Sequence, residues 1–435
     1  MLISRQKLAE IDGGLGTDPG RLRVVSVDVD LDPLDLVRAG SEAFGWAGFY
    51  ASPAGRSIGA LGTAAAFVAG GSGRLETIDA EISGLPEGVS LLMGFAFDEE
   101  GPGGVEWEGF SSATAVLPEV SVVRTGGRSS LTVAVRPGSD GRLLLGLLSA
   151  LHAPTETSGE REVDHVVESR PAAADWRGLV GEAVGSIDAG VFEKVVLART
   201  VLVHTPRPLG SFDLVAQLRD RYPGCRIFGW QHGDSTFIGA SPELLITREG
   251  ERFQVSPLAG SGPRGVDADE DRKFGDALLA SAKDRLEHSI VVEDAVRRLK
   301  PLSSGITHPS DPVLQRFATV QHLATPITGT TDRRVLDLAG ALHPTAAVGG
   351  SPRAEALAFI NKQEGINRGW YSGGIGWVEP GGDGELAIAL RCALVRGDHA
   401  IIYAGNGIVE GSDPEDELTE TRLKLRPMLD LLTAP

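Results

Sequence analysis

From Arg23 to about Val135 the chain alternates short apolar runs, such as Gly48-Phe49-Tyr50-Ala51 and Leu91-Leu92-Met93-Gly94-Phe95-Ala96-Phe97, with Gly, Pro and Ser, a pattern that predicts strands. The stretch from Ala153 to His165 is polar and without period, which predicts a linker or exposed loop and a soft boundary near residue 165. Beyond it the periodicity predicts a helix over 174–187, a strand over 192–204 and a meander over 226–231, 236–240, 244–248 and 253–257. Helices are predicted over 269–300 and 353–368, then strands over 374–378, 386–395 and 400–404. Antiparallel hairpins separated by long helices predict an α+β fold rather than a parallel sheet. No internal repeat or low-complexity tract interrupts this order.

With 435 residues and 42% hydrophobic composition, the chain can bury one large core or two ordinary ones. Lys plus Arg is 41 against 59 for Asp plus Glu, a net charge of -18 that argues against nucleic acid or an anionic membrane as partner. A small anion remains compatible if basic side chains gather in one pocket. Cys225 and Cys392 are the only cysteines and lack metal-ligand spacing, which fits a reducing compartment. No signal peptide or membrane-length apolar run is present, so a cytoplasmic protein is expected.

The C-terminal helix carries the sharpest chemistry. Asp413 suits its N-cap and Pro414 its first turn, just after what reads as a glycine-flanked turn, Gly405-Asn406-Gly407. Glu417, Glu420 and Lys424 then share one face about 60° wide, bordered by the apolar stripe of Leu418, Leu425 and Met428. Inward-looking charges of this kind need partners, and a divalent cation with an anionic ligand would serve. Asp284 and Glu287 form a second acidic pair on a helix, where pairing with Lys283 or Arg285 on a solvated face is the plainer alternative.

On the predicted strand 386–395, Arg391 stands among alanines, an arrangement open to a ligand carboxylate or to an acid from elsewhere in the fold. Lys194 is either an edge-strand guard or, if buried, an amine able to act as a base. Glu243, beside Pro242 and apolar neighbours, could be a carboxyl with a raised pKa or an ordinary strand-end acid. The small residues from Leu258 to Gly265 offer amides that can approach an anion, a weak signal alone. His343 is a candidate too, but lone histidines are more often structural.

In order along the chain stand Lys-Val-Val-Leu-Ala-Arg from Lys194, Ala-Ser-Pro-Glu-Leu-Leu from Ala240, Pro-Leu-Ala-Gly-Ser from Pro257, and Lys-Asp-x-x-Glu-His from Lys283. They are followed by His-Pro-Thr-Ala-Ala-Val-Gly-Gly from His343, Arg-Gly-Trp-Tyr-Ser-Gly-Gly-Ile-Gly-Trp from Arg368, Arg-Cys-Ala from Arg391, Ala-Gly-x-Gly-Ile-Val from Ala404, and Glu-x-x-Glu-Thr-x-x-Lys from Glu417. This series resembles the chorismate-utilising enzymes, most closely their isochorismate synthase branch, over about residues 166–430, with a looser likeness in the N-terminal third.

The resemblance implies a four-layer α/β/β/α fold with two packed antiparallel sheets. Residues 1–165 would be a divergent strand-rich part of that same unit and 166–435 the chorismate-binding catalytic region. It implies Mg2+ held by Glu287 and Glu420, with Asp284 and Glu417 supporting them. It also implies Lys194 as the base that activates water for attack at C2 of chorismate, and Glu243 as the acid that protonates the departing C4 hydroxyl. Tyr371 and Arg391 would hold the enolpyruvyl carboxylate, and Lys424 with the amides of Gly260, Ser261 and Gly405 the ring carboxylate. Ala259 disfavours a covalent aminodeoxychorismate synthase, and Lys194 disfavours an anthranilate synthase with its glutamine amidotransferase subunit. Ala347, in the substrate site, favours isochorismate synthase over salicylate synthase, in which threonine is usual. A non-catalytic chorismate-binding protein is the further alternative. A monomer is expected, serving menaquinone or siderophore biosynthesis.

Overall fold

The computed structural model describes residues 1–16, 20–154 and 165–433, so most of the predicted linker lies outside the described residues. Among the described residues two large antiparallel sheets dominate, of 12 and 9 strands, with a small third sheet of 3. In the larger sheet the N-terminal strand Trp46–Ala51 pairs with Arg226–His232, residue 51 opposite 227. In the smaller, Leu91–Phe95 pairs with Gly374–Val378. The N-terminal third thus supplies interior strands to both sheets.

The sheets face each other across an aromatic layer that holds five of the six tryptophans, Trp46, Trp107, Trp230, Trp370 and Trp377. Tyr50, Phe228, Phe237 and Tyr403 join it, with Trp230 and Trp370 edge to face at 5.0 Å. Edge-on contacts suit the ring quadrupoles and add to the area buried. Beside this layer Glu385 of the smaller sheet accepts from the Tyr50 hydroxyl at 2.8 Å and from Arg226 Nε at 3.1 Å, both on the larger sheet. A buried carboxylate so bonded is satisfied on both sides of the interface. Helices cover the outer faces over two aliphatic clusters, completing the four layers.

The structure differs from the sequence expectation in five places. The helix over 269–300 is two helices, Ala268–Ala280 and Ala282–Leu299, because Ser281 is extended and its hydroxyl accepts the Asp284 N–H at 3.2 Å. The strand over 386–395 is also two. Gly384–Ile388 belongs to the smaller sheet and Cys392–Arg396 to the larger, and Arg391 between them has φ +49°, a left-handed conformation that ends a strand. Gly405-Asn406-Gly407 is not a turn, since it lies inside the strand His399–Ile408, opposite Ala198, Leu197 and Val196. Leu258–Pro263 is a strand of the third sheet with a register shift between Ala259 and Ser261, where Gly260 takes φ +73°. The helix expected over 353–368 ends at Gln363. Among the described residues no helix is long and apolar enough to cross a membrane.

Candidate active site

Lys194 opens the strand Lys194–His204 and is wholly withdrawn from solvent, which removes the edge-guard reading. Its Nζ lies 3.0 Å from Glu287 Oε1 but without the geometry of a hydrogen bond. The other oxygen of Glu287 accepts the Gly260 N–H at 3.2 Å, which is the work done by the bulged strand. Gly407 explains the glycine that resembled a turn residue. A Cβ there would stand 2.2 Å from Glu287 Oε1 and 2.6 Å from Lys194 Cε, so the strand leaves that space to the two charged side chains.

Glu243 is buried, and among the described residues its carboxyl receives only the Leu258 N–H at 3.5 Å. Loss of solvent pushes its carboxyl up to about 8, against the opposing pull of that bond and of Lys194, Arg391 and Lys424. It is therefore a neutral acid at pH 7, among cations that favour its ionised form. Arg391 sits at the crossover between the sheets, where Ala240 N–H donates to its carbonyl at 3.1 Å. Among the described residues its guanidinium makes no hydrogen bond and no ion pair, although burial disfavours its charge. A half-buried cation in this state is complementary to an anion that arrives from outside the chain.

Tyr371 stacks on Tyr403 with centroids 5.2 Å apart, and burial pushes its phenol up to about 12, so it remains a donor. Its hydroxyl borders Gly405, where a Cβ would lie 2.9 Å from it. Lys424 donates to the Gly405 carbonyl at 3.0 Å and pairs with Glu420 at 2.7 Å. Burial acts to raise the Glu420 carboxyl, and Lys424, Lys283 and the Ser261 hydroxyl reverse this, leaving it below the usual range. Ala347 packs with Ala259, Val291 and Ala346 against the helix that carries Glu287.

Glu417 occupies a different position from its helix neighbours. Its carboxylate takes Lys283 at 2.7 Å, the Ser412 hydroxyl at 2.8 Å and Asn406 Nδ2 at 3.0 Å, and its side chain is 1% exposed. These three bonds tie it to the helix of Lys283 and to the strand of Asn406. Asp284 is raised by burial, and Glu287 and Glu420 raise it further, so these acids repel one another. Among the described residues no three His, Cys, Asp or Glu side chains are arranged to hold a metal by themselves. Hard carboxylate oxygens from two helices nonetheless fit a magnesium ion, which takes one or two protein carboxylates and completes its shell with water and ligand oxygens.

Two histidines absent from the sequence expectation border this region. His322 Nδ1 lies 3.1 Å from the Ser261 hydroxyl and 3.2 Å from the Gly260 carbonyl, and burial pushes the ring down to about 3. His288 Nε2 meets Thr325 Oγ1 at 2.7 Å and is lowered to about 4, by burial first and then by Lys194. His288 closes the Lys-Asp-x-x-Glu-His motif, although no role attaches to it there, and His322 lies in no motif. His343 is structural, since its Nε2 donates to the Ser372 carbonyl at 3.0 Å and its ring packs edge-on against Phe95 and Phe97. A cleft of about 890 Å³ lies by Leu202, Arg396 and His399, at the other end of the strand that begins with Lys194. It contains none of the candidates, so convergence of buried charges, not cavity size, marks the site.

The family model described as chorismate binding enzyme matches residues 17–433. The chain is 38% identical over 369 residues to the salicylate biosynthesis isochorismate synthase of Pseudomonas aeruginosa, covering 82% of this chain and 76% of that one. It is 36% identical over 352 residues to isochorismate synthase MenF of Bacillus subtilis, covering 79% and 75%. Its structure is similar to that of MenF, the menaquinone-specific isochorismate synthase from Escherichia coli, with a TM-score of 0.86 and 26% identity over 98% of this chain and 99% of that one.

Proposed function

The chain belongs to the chorismate-binding enzyme family, and from that membership we propose that it is an isochorismate synthase, interconverting chorismate and isochorismate. The observation that carries the reading is the pairing of a buried amine with a buried neutral carboxyl, Lys194 and Glu243, near a guanidinium without an acid. Addition of water at C2 and loss of hydroxide at C4 need one base and one acid on the same ligand. Lys194 takes a proton from the attacking water as the C2–O bond forms. The two ring double bonds shift, the C4–O bond breaks, and Glu243 gives its proton to the departing hydroxyl, which leaves as water. Arg391 and Tyr371 orient the enolpyruvyl carboxylate, and Lys424 with the Gly260, Ser261 and Gly405 backbone faces the ring carboxylate. Glu287 and Glu420 would hold a magnesium ion, which when bound neutralises the ring carboxylate.

Incubation of the purified protein with chorismate and Mg2+, followed by separation of products, tests the assignment. Isochorismate is the expected product. Salicylate and pyruvate as main products would make it a salicylate synthase, and unchanged turnover in Lys194→Ala would remove the proposed base. Binding of chorismate with no product at all would leave a non-catalytic binding protein.

A further inference from the structure

The strand that begins with Lys194 has an unfinished edge. Gly350–Ser351 pairs with it at Lys194 and Val195, and Val166–Arg170 pairs with it from Thr200 to His204. Between these two neighbours the edge-facing groups of Val196 and Ala198 meet no strand. The Val196 N–H finds the Gly349 carbonyl at 2.8 Å, the last bond the first neighbour provides. Unpaired main-chain groups at this depth are strongly unfavourable.

Side chains fill the gap. Arg368 Nη2 donates to the Val196 carbonyl at 2.8 Å, and Glu364 Oε2 accepts the Ala198 N–H at 2.8 Å. The two are joined to each other through Nε to Oε1 at 2.7 Å and Nη2 to Oε2 at 2.5 Å, with side chains only 4% and 2% exposed. Together they present one donor and one acceptor to the strand, as a residue of a neighbouring strand would. The same guanidinium donates through Nη1 to the Val348 carbonyl at 2.8 Å and lies 4.2 Å over the Phe97 ring. The Arg368 carbonyl in turn accepts the Tyr371 N–H at 2.9 Å. Three segments, carrying Lys194, Ala347 and Tyr371, therefore converge on one ion pair. A buried pair adds little stability beyond a well-packed apolar core, which makes its retention at this place a matter of geometry.

We infer that Glu364 and Arg368 are a positioning pair, a side-chain splice that replaces the absent strand and keeps the base-bearing strand, the Ala347 segment and Tyr371 in register. The inference rests on the roles proposed above for Lys194 and Tyr371. Arg368→Lys keeps the charge, but a single ammonium cannot serve Glu364, Val196 and Val348 together. Glu364→Gln keeps an oxygen for Ala198 and loses the ion pair.

Both variants are expected to fold, as judged by circular dichroism, with kcat for chorismate lowered about thirtyfold or more in Arg368→Lys and less in Glu364→Gln. Hydrogen exchange should rise about tenfold in peptides covering 194–200 and 344–349 and stay unchanged over 235–241, a strand of the same sheet away from the splice. Exchange and kcat within twofold of the parent protein would overturn the inference, as would a uniform rise that includes 235–241. Absence of isochorismate from the parent protein would instead overturn the functional assignment, and the exchange pattern would still decide the splice.

Discussion

A carboxyl with no solvent and one long hydrogen bond is a poor place for negative charge, and Glu243 is such a group. Its folded-state value of about 8 lies above the ordinary 4.5, so the folded protein binds a proton there that the unfolded chain releases between those values. Its contribution therefore weakens stability as pH rises from about 4.5 to 8. Glu243→Gln should stabilise the fold by on the order of 2–4 kcal/mol near pH 8 and by little near pH 4.5, measured by denaturant titration. The same substitution should lower kcat by about 10² to 10⁴. In the parent enzyme turnover should fall as pH rises through about 8, where the acid loses its proton. The sequence showed the kind of environment around Glu243 through Pro242 and its apolar neighbours. It showed Arg391 less well, because among the described residues no acid pairs with it and its backbone turn breaks an alternation that continues on both sides. Glu287→Ala and Glu420→Ala should each abolish turnover and weaken Mg2+ binding by calorimetry while the fold survives. Undiminished Mg2+ affinity in both would remove them as ligands.

At the scale of elements, glycine has two uses here that spacing alone cannot separate. Gly407 is in an extended strand and exists to leave room, so Gly407→Ala meets the movable ends of Glu287 and Lys194. Those ends can swing away, and the expected result is a folded protein, within about 1 kcal/mol of the parent, that has lost most of its activity. Gly376→Ala, by contrast, would place a Cβ 1.9 Å from the Glu385 carbonyl of the neighbouring strand, and backbone cannot swing. Thermal melting should separate the two variants clearly, with only Gly376→Ala strongly destabilised. Helix starts were legible because capping is local, as at Asp413, whose carboxylate accepts the Glu415 N–H at 2.9 Å. The break at Ser281 was missed because the helical period runs on through it.

For the molecule as a whole, the sheet order rests on pairings between residues far apart, such as Ala51 with Ile227, which no local pattern encodes. The division into layers was available only through the resemblance. The aromatic layer between the sheets makes a firm prediction. Trp370 is 1% exposed and packs edge-on against Phe110 and Trp230, so Trp370→Ala should lower stability by about 3–5 kcal/mol by denaturant titration.

The crossover from Ile388 to Cys392 carries the chain from one sheet to the other, with Arg391 in the span. A carboxylate gripped there would act as a rivet, fastening two halves of the molecule that otherwise share packing and a few polar contacts. The enzyme's lifetime should then follow its food supply. Protein saturated with chorismate should resist proteolysis longer than starved protein, and Arg391→Ala should remove the difference.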